Sequence, residues 1–211
     1  MNIDSLAAAA IGFGILLLSL TIHEAAHAWT ADKLGDPTAR MLGRVSLNPL
    51  VHIDPIGTVL LPLIAAFSHL PLIGWAKPVP VNVRNLRHPR RDFMLVAAAG
   101  PISNLLQATI GAAILRVLVA AALVTADSRM IADVLVQYME INLLLAFFNL
   151  IPVPPLDGGN VMLGLLPPRL AATYSQIRQY GFLVLYALML TGIASRLILP
   201  PTEFFMRALL P

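Results

Sequence analysis

Apolar residues run almost unbroken from residue 6 to residue 22, and the run ends on His23, Glu24 and His27. A stretch of about 20 apolar residues crosses ~30 Å of hydrocarbon as a helix, so the pattern predicts a spanning helix over residues 5–31. Similar runs predict spans over 92–124, 131–151 and 174–199. Polar, Gly/Pro/Asn-rich sequence fills 32–54, a basic run covers 84–91, and the loop PVPPLDGGN occupies 152–160. Two segments fit neither pattern. Residues 55–72 are apolar but carry Pro55, Gly57, Pro62 and Pro71. Residues 74–82 (GWAKPVPVN) alternate like an extended strand, which Pro78 and Pro80 confine to an edge.

Composition supports lipid as the solvent. Of 211 residues, 58% are hydrophobic and 12% charged, and the mean hydropathy is +0.79. One soluble core of this size cannot hide that much apolar surface. The expectation is an all-α integral membrane protein, one domain over 1–211. Its architecture is a helical bundle of about four to five spans with a short re-entrant or partial segment at 55–72 and a small β-strand element. The absence of cysteine excludes disulfides and thiolate metal sites. No basic patch is interleaved with exposed aromatics, which argues against nucleic acid as a partner.

The net charge of +3 reads as an orientation signal. The N-terminus carries Asp4 and no early Lys or Arg, which places it outside and marks the first run as a retained helix rather than a cleaved leader. If 55–72 crossed fully, Lys33, Arg40 and Arg44 would lie opposite Lys77, Arg84, Arg87, Arg90 and Arg91. If it dips in and returns, all of these join Arg169 and Arg178 on one side, leaving Arg129, Arg196 and Arg207 on the other. The positive-inside rule prefers the second arrangement and makes that side cytoplasmic.

HEAAH carries the chemistry. His23 and His27, four residues apart on a helix, share one face and can reach one tetrahedral Zn²⁺. Glu24, rotated by roughly 100°, sits beside that ion, where it can take a proton from water and pass it to a leaving amine. Three ionisable groups on an apolar spanning helix are expensive without partners. A catalytic zinc site wants a third protein ligand and an open position. Asp157 in PPLDGG is the best candidate, stiffened by Pro154 and Pro155 and given close approach by Gly158 and Gly159. On spacing alone it reads equally as an ordinary Pro-Pro-x-Asp-Gly turn.

HEAAH on a membrane helix, followed much later by NLIPVPPLDGG, resembles the site-2 protease family of intramembrane metalloproteases. The stretches GRVSLNPLVHIDPIGT, GWAKPVPVN and AGPISN are similar to its compact bacterial-type branch, without PDZ or CBS domains. The resemblance implies His23, His27 and Asp157 as ligands of one zinc ion and Glu24 as catalytic acid and base. It also implies Asn149, eight residues before Asp157, as a group holding substrate or the developing oxyanion. The implied activity is peptide-bond hydrolysis of transmembrane protein substrates in the lipid bilayer of the cell membrane, by a multi-pass protein with its active site towards the cytoplasm.

Other residues keep two readings. His52 either orients a ligand or caps the Asp54–Pro55 turn. Gly100, Pro101 and Asn104 read as close helix packing. Residues 74–82 either offer an edge to an extended substrate or form a linker anchored by Trp75 at the interface. His69 and His88 read as non-ligands. A metal-ion transporter would need ligands repeated along a path, and this chain has one cluster. An inactive scaffold of the same fold would not need His23, Glu24, His27 and Asp157 intact.

Overall fold

The computed structural model describes residues 3–60, 76–125 and 128–211. The long helices are α1 (Ile3–Lys33), α3 (Pro89–Ala120) and α4 (Arg129–Asn149). Shorter ones are α2 (Thr38–Met41), α5 (Asp157–Leu165), α6 (Pro168–Ser175), α7 (Gly181–Leu190) and α8 (Ile193–Leu209). A π-helical turn covers Pro55–Leu60. Among the described residues, three helical stretches are long and apolar enough to cross a membrane: Ala7–Lys33, Pro89–Ala120 and Arg129–Asn149. A fourth crossing results if Pro168–Leu190 and Ile193–Leu209, bent by 72° at their junction, are taken as one span. The architecture is the expected all-helical membrane type.

The last expected helix, 174–199, is corrected. It is broken between α7 and α8, because Gly192 adopts φ +72° and ends α7 in a left-handed turn. Gly192 N donates to Met189 O at 3.1 Å and the helix restarts at Ile193 in a new direction. No strand occurs among the described residues. Residues 76–82 carry no regular structure; Pro78 and Pro80 lack the N–H a ladder needs. Most of the expected partial span (61–72) and the start of the expected strand (74–75) lie outside the described residues.

α3 is the central helix, packed against α1, α4 and α5. Many of the contacts between spans are made by small and polar residues, since Ala28, Ala97, Ala108, Ala112, Ala146, Ser19, Asn104 and Asn142 are all buried, alongside Leu115, Met139 and Leu143. Large apolar side chains such as Phe13, Leu18, Leu106 and Ile110 point outwards. That inversion is how helices pack when lipid, not water, surrounds them.

The end of α1 and the start of α3 are tied together. Arg87 N donates to Leu34 O at 3.2 Å. Just beyond α1, buried Asp36 accepts from Asn82 N at 2.6 Å and Asn85 Nδ2 at 2.9 Å, and from Thr38 Oγ1 at 2.5 Å and Thr38 N at 3.2 Å. Burial raises the Asp36 carboxyl, but these four donors outweigh it and hold the group below its ordinary value. The chain therefore enters α3 at the end of the bundle where it leaves α1, and the two helices run antiparallel.

Candidate metal centre

His23 and His27 project from the buried face of α1 with their Nε2 atoms 3.0 Å apart. Asp157 is the first residue of α5, delivered by the turn after α4. The turn is tight because residues 158 and 159 are glycines: a Cβ on Gly158 would run into the Leu150 and Ile151 carbonyls. Asp157 Oδ2 lies 3.1 Å from His23 Nε2 and 3.4 Å from His27 Nε2. Ligand atoms at ~2.0–2.1 Å from a tetrahedral zinc are separated by about 3.3 Å. The three observed separations match that edge length.

The hydrogens point away from this cluster. His27 Nδ1 is 2.7 Å from Val96 O, a carbonyl that can only accept, so Nδ1 carries the proton and Nε2 is left as a lone pair. His23 Nδ1 faces Asn104 Oδ1 at 2.5 Å. Asp157 Oδ2 is buried with no hydrogen bond donated to it. In the neutral form of both rings, with each Nδ1 protonated, the two Nε2 lone pairs and Asp157 Oδ2 face one another as three acceptors. Such a convergence is repulsive alone and favourable around a cation. α3 leaves room for one, since a Cβ on Gly100 would sit 2.5 Å from His23 Nε2 and closer still to His27 Nε2. Two imidazoles and one carboxylate, all turned to one point, suit zinc with a fourth position open.

Glu24 lies beside the cluster on α1 and is buried. Its Oε2 accepts from Val79 N at 3.1 Å. The segment bearing Val79 is gripped one residue pair earlier: Lys77 N donates to His52 O at 2.9 Å, and Arg44 Nη2 donates to Lys77 O. Burial lowers the Arg44 guanidinium from its ordinary value, and the charge of Glu24 opposes that shift. Residues 77 and 79 therefore form a strap across the Glu24 carboxylate, held from the Arg44–His52 side.

The structure brings His23, His27 and Asp157 together and places Glu24 under the strap. It does not bring His52 to the ring pair: the His52 Nε2 donates to Ser46 O at 2.8 Å, and Arg44 approaches its Nδ1 at 3.4 Å. Asn149 ends α4 and donates from Nδ2 to Leu145 O at 3.0 Å. His88 contributes its backbone N–H to Asp92 Oδ2 at 2.7 Å, while His69 lies outside the described residues. Residues 77–82 spend their N–H groups inward, on His52, Glu24 and Asp36, with Val81 excepted. Sequence reasoning missed the roles of Asn104, Gly100, Val96, Arg44 and Val79 at this centre. For Asn104 a signal existed, because an amide in an apolar span must find a partner.

A family model described as Peptidase family M50 matches residues 11–192. The chain belongs to peptidase family M50. It is a zinc metalloprotease of the site-2 type. YwhC of Bacillus subtilis, named as a zinc metalloprotease, is 42% identical to this M50 chain over 187 residues, covering 88% of this chain and 82% of YwhC. Rip2 of Mycolicibacterium smegmatis, named likewise, is 29% identical over 181 residues, covering 85% of this chain and 66% of Rip2. Rip2 of Mycobacterium tuberculosis (strain H37Rv) is 30% identical over 177 residues, 82% of this chain and 64% of that protein. The M50 chain thus spans most of YwhC and about two thirds of the Rip2 proteins. No solved structure matches it.

Proposed function

We propose that this chain hydrolyses peptide bonds of membrane-protein substrates within or next to the bilayer, from a site reached from the cytoplasmic side. The observation that carries the reading is the convergence of three acceptors, His23 Nε2, His27 Nε2 and Asp157 Oδ2, beside the Glu24 carboxylate. His23, His27 and Asp157 are the residues that would hold zinc. When bound, zinc supplies Lewis acidity: it lowers the pKa of water at its open position and polarises a carbonyl. Glu24 takes the proton from the attacking water and returns it to the leaving amine. The Val79 N–H holds one Glu24 oxygen, so the other is the one that moves the proton. Asn149 Nδ2 has a second N–H that Leu145 does not use, and this is the donor offered to substrate or to the developing oxyanion.

A substrate helix hides its carbonyls in its own hydrogen bonds and must unwind to react. The cytoplasmic assignment rests on the Lys and Arg residues that flank the α1–α3 end of the bundle. Cleavage of a transmembrane substrate by the purified protein, with Glu24→Gln alongside, tests the reading. Glu24→Gln should keep zinc and lose cleavage; a Glu24→Gln protein that cleaves at the native rate contradicts it.

A further inference from the structure

Three residues that the proposed reaction leaves out form a closed hydrogen-bonded circuit behind His23. Ser19, Asn104 and Asn142 are each 0% exposed, inside the spanning bundle. Asn142 Nδ2 donates to Tyr138 O at 2.9 Å and to Ser19 Oγ at 2.9 Å. Asn104 Nδ2 donates to Asn142 Oδ1 at 2.8 Å, and Asn104 Oδ1 meets His23 Nδ1 at 2.5 Å. The circuit leaves α1 at Ser19, passes through α4 and α3, and returns to α1 one turn later at His23.

We infer that Asn104 and Asn142 are positioning residues that fix the tautomer of His23, and so the strength with which the centre holds its metal. The direction of every bond follows from one group that cannot reverse. The Tyr138 carbonyl only accepts, so the Asn142 atom facing it is the NH₂. The Asn142 oxygen is then turned to Asn104 and must receive an N–H from it. That leaves the Asn104 oxygen towards His23, where only Nδ1–H can answer. The Nε2 lone pair is thereby aimed at Asp157 Oδ2. With either amide reversed, Nδ1 would have to accept, and the hydrogen would move to Nε2, between the ring and Asp157, in the space a metal ion needs. Unpaired amides in an apolar span are costly, so a reversed or half-broken circuit is also unstable in its own right. His27 needs no relay, because the Val96 carbonyl fixes its tautomer directly.

The inference rests on the reading of His23 as a metal ligand, and the test separates the two. Zinc affinity is measured on the full chain in detergent by competition with a chromophoric chelator. Asn142→Leu removes the anchor, and zinc binding should weaken roughly 10–100-fold. Asn104→Asp, as the acid, can give its O–H to Asn142 Oδ1 and keep its other oxygen as acceptor towards His23 Nδ1, so it should bind zinc close to the native affinity. The double variant Asn104→Asp/Asn142→Leu should match Asn104→Asp, because a carboxylate with no Asn142 oxygen facing it is an acceptor in either orientation. A double variant as weak as Asn142→Leu means that Asn142 is merely structural and overturns the inference, as does native affinity in Asn142→Leu alone. The ¹⁵N shifts of the His23 ring in metal-free native protein give a check that needs no variant: Nδ1–H is expected, and a predominant Nε2–H overturns the inference. Native affinity in His23→Ala would instead overturn the ligand reading itself.

Discussion

The Val79 backbone N–H donates to Glu24 Oε2 at 3.1 Å, joining residues 55 positions apart. The bond sets the rotamer of the buried carboxylate proposed to act on a water beside the ring pair. It is made by main chain, so side-chain substitution at 79 should hardly matter, whereas loss of the N–H should. Val79 precedes Pro80 and is confined to extended conformations, which a proline ring also adopts. Val79→Pro is expected to lower turnover about 10–100-fold, the value of one hydrogen bond to a charged group, with zinc content unchanged. Val79→Ala should cleave like the native protein. Equal turnover in both variants would show that the contact does not position the base.

Gly100 sets helix propensity against site integrity. In the interior of α3, alanine is favoured over glycine by about 1 kcal/mol of helix propensity. A Cβ there nonetheless lies 2.5 Å from His23 Nε2. Gly100→Ala should therefore lower zinc affinity by at least ~10-fold, and because overpacking against two buried rings offsets the helix-propensity gain, the thermal midpoint should not rise. Retained zinc in a folded Gly100→Ala protein would mean that the rings have another orientation.

Asp36 predicts a pH dependence. Its folded carboxyl is held below the ordinary carboxylate value, so the unfolded chain takes up a proton first as pH falls. The stabilisation is complete above about pH 4 and is lost as pH drops through the lower folded value. Asp36→Ala leaves the Asn82, Asn85 and Thr38 donors without their acceptor and should cost about 1–3 kcal/mol at neutral pH. Thermal unfolding from pH 7 to pH 3 should show a smaller loss of stability for the variant than for the native protein. Parallel curves would remove Asp36 from the account.

Much of the fold and site was legible, and what was missed has identifiable causes. The long spans follow from hydropathy, and α1, α3 and α4 start and stop within about a turn of the expected 5–31, 92–124 and 131–151. The 174–199 run failed because hydropathy outweighed Gly192, whose left-handed φ ends α7. HEAAH is a local pattern, so the meeting of His23 and His27 could be read from helix periodicity. Asp157 came into view through its glycines and through resemblance. Asn104 was read as packing, although an amide in an apolar span needs a partner. Val79 reaches Glu24, and Arg44 reaches the Lys77 carbonyl, through loops whose course leaves no periodic trace in the sequence.

The proposed acid–base role of Glu24 depends on the metal standing where the three acceptors converge, and zinc X-ray absorption addresses that position most directly. On purified native protein the account expects one zinc per chain, with two imidazole nitrogens and a carboxylate oxygen at about 2.0–2.2 Å. Asp157→Ala should lose the carboxylate contribution and bind zinc more weakly. An Asp157→Ala spectrum indistinguishable from native would place the ion elsewhere and contradict the centre described here.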